Sequence, residues 1–421
     1  MSYQPLYKLY YKDQSQWAAA YEQRFTNEFT TKLDFTIKEY NHRQEHQLFY
    51  CNTPEISLLL EKIATNCLKL SHCCHILPPL ALAQYLYSCL IVEVKNNNSI
   101  EGIYSSRQSI GSVLTAATNL ASSNTRLQGI VNKYRLLTGP AADSSYLTSL
   151  TTPASLRQLY DEFILDEIKQ DNPHNLPDGA LFRKNSVDIV TSTQKIIHRG
   201  AYPEEAIIQQ LTKALALLQQ ESLPLLIRII IFHYLFAYIH PFYDGIGRMA
   251  RFISAALLAQ EIHPAVGLRL SLLIKKQRQL YYQLFQQTNS NLNKGDLTPF
   301  ITNGLQLIRD AITGTTAKLT KNAAQYQRLS QSLEALPNFA HKELQELYPL
   351  LLQASIFSSN GITLEDLAKA LGKSSRTVQR RLSLVPPEAL LKGSLGRSHT
   401  YRLSLDYLLK TTKRKSSQKG P

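Results

Sequence analysis

The sequence predicts an all-α core with one short β-hairpin, followed by a small C-terminal domain of two short helices and a second hairpin. Two observations carry the core. Apolar residues recur at three- and four-residue spacing through 77–95, 127–137, 154–169, 203–219, 222–239, 248–261, 270–286 and 297–315, the pattern of helices with one buried stripe. Only "FRKNSVDIVTSTQKIIHRG" is rich in β-branched residues around a polar turn, with Val187, Ile189 and Val190 before it and Ile196 and Ile197 after it. A lone hairpin cannot build a sheet core, so this one is expected on the surface, as a flap near 186–200.

Taken in order, residues 1–75 show helical pattern and no other signal. In the helical core, 76–317, "TTPASL" precedes the 154 helix, "YPEE" precedes the 203 helix, and Pro241 ends the 222 helix. A polar helical connector is expected over 318–345. Within 346–408, "GITLEDLAKALGKSSRTVQRRL" opens with Thr363 and Asp366 in a capping-box pattern. Gly372 then ends a first helix, and Ser374 or Ser375 caps a second. Two short amphipathic helices joined by a Gly-containing turn describe a helix-turn-helix, and "ALLKGSLGRSHTYRLS" reads as a hairpin wing beside it. Arg376, Thr377, Gln379 and Arg380 on the second helix are the candidate DNA contacts; such pairs also serve as plain packing modules. The basic stretch 409–421 is expected to be disordered.

The chain has 421 residues, 44% of them hydrophobic, enough for two or three domains. Its formal net charge of +14 favours an acidic partner, most simply nucleic acid. No stretch is apolar enough to span a membrane, and "MSYQPLYKLYYKDQSQW" has no apolar signal core, so a soluble, cytoplasmic protein with no membrane partner is expected. Five cysteines make no disulfide framework. His72, Cys73, Cys74 and His75 are adjacent, and neighbours on a helix point about 100° apart, so packing is the better reading than a metal site. A homodimer is compatible with the sequence but not fixed by it.

The densest chemistry lies in "HPFYDGIGRMAR", residues 240–251. Gly245 and Gly247, flanking Ile246, permit positive φ and a concave nest of N–H groups, and a helix starting near Arg248 aims its positive end at the same place. Arg248 and Arg251 share a helix face and could grip two parts of a polyphosphate. Asp244 is a hard oxygen ligand suited to Mg²⁺, and His240 is suited to taking a proton from a hydroxyl. A plain connector could also be built from these residues, so spacing alone leaves both readings open.

The segment resembles the signature of the Fic (Fido) family, HPFx(D/E)GN(G/K)RxxR. The likeness extends to "HYLFAYIHPF", to "PDGALFRKNSVDIV" with "IIHRG", and to "LSLLIKKQRQLYYQLF" and "NKGDLTPFI", from about 90 to 312. The resemblance implies transfer of AMP from ATP, with Mg²⁺, to a Ser, Thr or Tyr hydroxyl of a target protein or of the chain itself. It implies His240 as base, Asp244 as metal ligand, Gly245 to Gly247 as anion hole, and Arg248 and Arg251 as β- and γ-phosphate contacts. Phe242 would anchor the loop, and Ile196 and Ile197 would pair with the target by strand addition. Many members carry an inhibitory (S/T)xxxE(G/N) segment. Here "EVKNNNSIEGI" places Glu101 and Gly102 in that pattern, near 97–102, with Asn97 where Ser or Thr is usual. Ile246 replaces the family's Asn, which removes an amide donor to the α-phosphate. This implies an attenuated adenylyltransferase or, as the alternative, a decayed member acting as a DNA-binding regulator or nucleotide sensor.

Overall fold

The computed structural model describes residues 3–116, 126–139, 150–191 and 193–417. Ser192 in the expected flap turn and residues 418–421 of the basic tail lie outside the described residues. In chain order the elements are α1 Leu6–Lys12, α2 Gln14–Thr26, β1 Thr30–Ile37, β2 His46–Cys51, α3 Pro54–His75, α4 Pro79–Ile100, α5 Arg107–Ala116 and α6 Gln128–Leu136. Then come α7 Pro153–Tyr160, α8 Asp166–Asp171, β3 Asp188–Val190, β4 Ile196–Arg199, α9 Glu204–Gln219, α10 Leu225–Ile239, α11 Ile246–Glu261, α12 Pro264–Gly267, α13 Leu270–Lys276, α14 Arg278–Asn289 and α15 Thr298–Ser330. The last are α16 Lys342–Phe357, β5 Ile362–Thr363, α17 Leu364–Leu371, α18 Ser375–Ser383, β6 Leu390–Leu395, β7 Ser398–Leu403 and α19 Leu405–Ser417. Helices dominate, and the sheets are small. The protein is all-α in class.

The chain forms two compact units. The first holds residues 1–67, 96–103 and 139–312. Its centre is α10, whose sequence "LLIRIIIFHYLFAYI" is buried on nearly every side. A helix apolar all round belongs in a core. Thr152 caps α7 in a reciprocal box with Ser155. A π turn, Asp161–Leu165, joins α7 to α8 where the sequence suggested one helix over 154–169. The helix expected over 270–286 is likewise two, α13 and α14.

A second departure lies in the first 75 residues, read from the sequence as helical. β1 and β2 form an antiparallel hairpin there, with Leu33, Phe35 and Ile37 buried in alternation. That period of two was present in "TKLDFTI". Tyr238 near the end of α10 donates its hydroxyl to the Lys38 carbonyl (3.4 Å) and accepts from the Lys38 N–H (3.0 Å). Asp296, fully buried, takes the Tyr3 hydroxyl at 2.6 Å and Arg24 Nη1 at 3.4 Å, which fastens the chain's start to this unit.

The second unit holds 68–95, 104–138 and 313–421. Leu344, Leu347, Leu351, Leu367, Val378 and Leu382 lie in its core. Thr363 caps α17, Gly372 closes it in the left-handed region at φ 61°, and Ser374 caps α18. β5, β7 and β6 make an antiparallel sheet in that order. The tip of the β6–β7 hairpin lies against α5: a Cβ on Gly111 would overlap Leu395, and one on Gly396 would overlap the Ser112 backbone. Helix α19 continues to Ser417, so residues 409–417 are helical and not the structureless tail the composition suggested; buried Leu408 ties the helix to this core. Cys73 and Cys74 are buried while His72 and His75 are exposed, so these four side chains do not converge.

Candidate functional site

The site begins where α10 stops. His240 takes the left-handed conformation, φ 54° and ψ 62°, and its N–H still closes the helix on the Phe236 carbonyl. A non-glycine residue held there costs about 1 kcal/mol or more, so surrounding contacts must support it. Arg183, fully buried, supplies them. Its Nε donates to the His240 carbonyl at 2.8 Å, Nη1 to the Asn185 carbonyl at 2.5 Å and Nη2 to the Ala201 carbonyl at 2.7 Å. Burial, then His198 and Arg183, push the His240 imidazole down to about 3, so it is neutral at pH 7. Nδ1 faces the Ala237 carbonyl at 3.4 Å, which favours the proton on Nδ1 and leaves the Nε2 lone pair available.

The next residues form the cup. Phe242 is buried, stacked on Tyr160 with centroids 3.6 Å apart and edge-on to Phe182 at 5.3 Å. Asp244 accepts the Gly245 N–H at 2.5 Å, and the Tyr160 hydroxyl donates to the Asp244 carbonyl at 3.3 Å. Of the two glycines expected at positive φ, only Gly245 takes it, at 81°; Gly247 and Ile246 are already in the first turn of α11. The left-handed demand therefore falls on 245 and not on 246, and the buried Ile246 carries no backbone strain. The unpaired N–H groups of α11 open toward the loop, the arrangement that receives an anion.

Both arginines are buried and both are already paired. Arg248 Nη1 meets Glu167 Oε1 at 2.7 Å, and its Nη2 lies 3.7 Å from Asp244. Glu167 sits on α8, just past the π turn; Tyr160, Ile164 and Glu167 all face the loop from this interrupted helix. Arg251 Nε donates to Asn97 Oδ1 at 2.7 Å, and Nη2 donates to the Asn97 carbonyl at 3.2 Å and to Glu101 Oε1 at 2.6 Å. Asn97 Nδ2 in turn donates to the Arg248 carbonyl at 3.1 Å. Nearby, the Tyr281 hydroxyl meets Nε2 of buried His233 at 2.8 Å, and Nδ1 of the same ring meets the Ser254 hydroxyl at 2.9 Å. Burial alone would lower the Arg251 guanidinium, but Glu101 and the other partners hold it above its ordinary value.

Glu101 lies at the end of α4, where Gly102 turns the chain at φ 76°. Its carboxylate stands over the start of α11: a Cβ on Gly247 would overlap Glu101 Oε1. Asn97, Glu101, Asp244, Gly245, Ile246, Gly247, Arg248 and Arg251 thus come together, with His240 four residues before Asp244. Among the described residues no cluster of three or more His, Cys, Asp or Glu side chains could hold a metal unaided. Asp244 is one half-exposed carboxylate, which suits Mg²⁺ carried by a polyphosphate and not a resident metal.

The flap is present as β3 and β4, paired Asp188 to Arg199 and Ile189 to His198, with Ile196 and Ile197 half-buried. Glu204 at the start of α9 accepts the Leu181 and Phe182 N–H groups at 2.7 and 2.8 Å, fixing the approach to it. Arg183, Glu167, Tyr160 and Tyr281 were not singled out from sequence. "FRKNSV" and "FILDEI" gave no periodic or spacing signal for a polar residue turned inward. In the second unit Arg376 and Gln379 are exposed, Thr377 is half-buried, and Arg380 is paired with Glu343. Buried Arg381 meets Glu346 at 2.6 Å.

Residues 150–258 match the family model described as Fic/DOC family. A Fic family protein from Desulfovibrio desulfuricans G20 has a similar crystal structure, with 18% identity, TM-score 0.51, and 85% of this chain and 98% of that chain covered. Fic-1 from C. elegans aligns at 17% identity and TM-score 0.44, over 63% of this chain and 74% of that one. A Fic domain containing signalling protein from Bacteroides thetaiotaomicron VPI-5482 aligns at 15% and TM-score 0.41, over 63% and 97%. The chain contains a Fic/DOC domain, and no described helix is long and apolar enough to cross a membrane.

Proposed function

We propose that this Fic/DOC-domain protein transfers AMP from ATP to a Ser, Thr or Tyr hydroxyl, on a target protein or on itself, and that Glu101 holds the reaction off. One observation carries the reading. The Glu101 carboxylate sits 2.6 Å from buried Arg251 and over Gly247, at the mouth of the anion cup. A carboxylate lodged among a helix N-terminus and an arginine occupies the kind of place a phosphate would take.

In the uninhibited state the target hydroxyl oxygen attacks the α-phosphorus. The bond from that phosphorus to the bridging oxygen breaks, pyrophosphate leaves, and the hydroxyl proton passes to Nε2 of His240. The first-turn N–H groups of α11 would receive charge developing on the α-phosphate, with Arg248 and Arg251 on the departing phosphates; such positioning and electrostatics are how phosphoryl-type transfer is accelerated. Asp244 would hold the Mg²⁺ that arrives with ATP, whose charge offsets that of the phosphates. Ile246 lacks the family's side-chain amide, so one donor is missing. A missing transition-state donor typically lowers rate by about 10²–10³-fold.

The test is incubation with Mg²⁺ and α-labelled ATP, across several nucleotides, of wild type, Glu101→Gly and Glu101→Gly/His240→Ala. Label that appears with Glu101→Gly and vanishes with His240→Ala supports the transferase. Silence from both Glu101→Gly and Glu101→Gly/Ile246→Asn ends it. A second reading, a decayed member acting as a DNA-binding regulator or nucleotide sensor, is favoured by Ile246 and by the exposed Arg376 and Gln379 on α18 beside a hairpin. In it the second unit is a winged helix-turn-helix with α18 as recognition helix.

A further inference from the structure

We infer that Arg183 is a positioning residue that sets the direction of the His240 side chain and locks the flap's two ends to it. The inference rests on the transferase reading for its consequence, but its geometry stands by itself. Arg183 is fully buried and has no carboxylate within ion-pair distance among the described residues. Burying a guanidinium is costly unless its donors are satisfied. Here the satisfaction comes from backbone carbonyls in three places: His240 after α10, Asn185 just before β3, and Ala201 just after β4.

Each of those carbonyls matters to the site. The His240 residue sits in the left-handed region, so its carbonyl points away from the helix axis and needs an outside donor. Asn185 and Ala201 bracket the hairpin, so their separation fixes where Ile196 and Ile197 hang. A planar fork with donors in fixed directions joins all three; an ammonium on a flexible stem cannot reproduce the set. Gly200 completes the junction, because a Cβ there would overlap both Arg183 Nη2 and the Cβ of His240. Tyr243 adds a parallel tie: its hydroxyl accepts the Asn185 N–H at 3.0 Å and donates to Asp178 at 3.0 Å. The loop that bears the imidazole and the strand that would receive the target are thereby one rigid piece.

Arg183 touches no phosphate site; Arg248 and Arg251 are held by other residues. Replacing it should therefore change turnover and leave nucleotide affinity alone. The experiment compares Glu101→Gly with Glu101→Gly/Arg183→Lys as full chains, measuring label transfer against ATP concentration, with thermal melts to establish folding. The expected result is a fall in kcat of at least tenfold with KM for ATP within threefold. Equal kcat in the two proteins, or kcat and KM worsening together in step with lost fold, overturns the inference. A second readout needs no activity: full-length protein with ¹³C-labelled histidine rings, the His240 signal assigned by His240→Gln. Arg183→Lys should split, broaden or move that signal in otherwise folded protein. An unmoved His240 signal rejects the positioning role, while a moved signal with no transfer from either Glu101→Gly or Glu101→Gly/Ile246→Asn keeps it and rejects the transferase.

Discussion

Glu101 Oε1 lies 2.6 Å from Nη2 of Arg251, and the same guanidinium is held through its Nε by Asn97 Oδ1 at 2.7 Å. The two contacts differ in kind. Asn97 is fully buried and neutral, so it orients the arginine without cancelling its charge; Glu101 is one-third exposed and cancels it. Removing Glu101 should leave an oriented, uncompensated cation.

This gives a prediction about stability that needs no turnover. Without nucleotide, Glu101→Gly should melt lower than wild type, by about 1 kcal/mol for a partly solvated pair. With Mg²⁺ and ATP at about 100 times Kd, the variant should gain about 2.7 kcal/mol, and wild type much less. Differential scanning fluorimetry with and without ATP reads both. Equal stabilisation of the two proteins would show that the carboxylate does not compete with the nucleotide.

Ile246 offers a second prediction in which rate and stability move oppositely. The side chain is buried at the first position of α11, so Ile246→Asn should lower stability by about 2–4 kcal/mol. In the Glu101→Gly background the same change should raise label transfer about tenfold or more by restoring an amide donor. A rate that only follows the folded fraction downward would mean that the backbone cup alone does the binding.

Much of this was legible because the signals were local. The burial of α10 follows from a long apolar run interrupted only by Arg228, His233 and two tyrosines, the Gly245 turn from a glycine after an acid, and the α17 cap from Thr363 and Asp366. The hairpin β1–β2 was equally legible in the alternation of Leu33, Phe35 and Ile37, but a helical expectation set by neighbouring segments masked it. Glu167 and Arg183 were not legible. Their roles come from a π turn and from three carbonyls 2 to 57 residues away in sequence, and no periodicity encodes such meetings.

Acidification should unfold the first unit early. Burial holds His240 near 3 and His233 near 4, both below the ordinary 6.5, and lowers His198 as well. The unfolded chain therefore binds protons that the folded chain refuses. The stability from keeping these rings neutral is complete above pH 6.5 and is lost as pH falls from there toward 3–4. By pH 5 each of His233 and His240 should cost about 2 kcal/mol, a drop of several degrees in Tm. His233→Gln should flatten the pH dependence of Tm, even though it lowers Tm at pH 7 by loosening Tyr281 and Ser254. A pH profile of unchanged steepness would place the sensitivity elsewhere.

The second unit makes the last prediction, through an inequality between two arginines on one helix. Arg376 is exposed and has no ion-pair partner among the described residues, whereas Arg380 on the same α18 is bound to Glu343 of α16. If α18 meets a DNA duplex, Arg376 is ready to contact it, while Arg380 must first give up its carboxylate. Arg376→Ala should therefore weaken duplex binding more than Arg380→Ala and reduce the salt slope by about 1. Glu343→Gln should strengthen binding by freeing Arg380. Fluorescence anisotropy with a labelled duplex at several salt concentrations measures all three. Binding unchanged by Arg376→Ala and Arg380→Ala together would remove α18 from the contact and leave the basic charge to other surfaces.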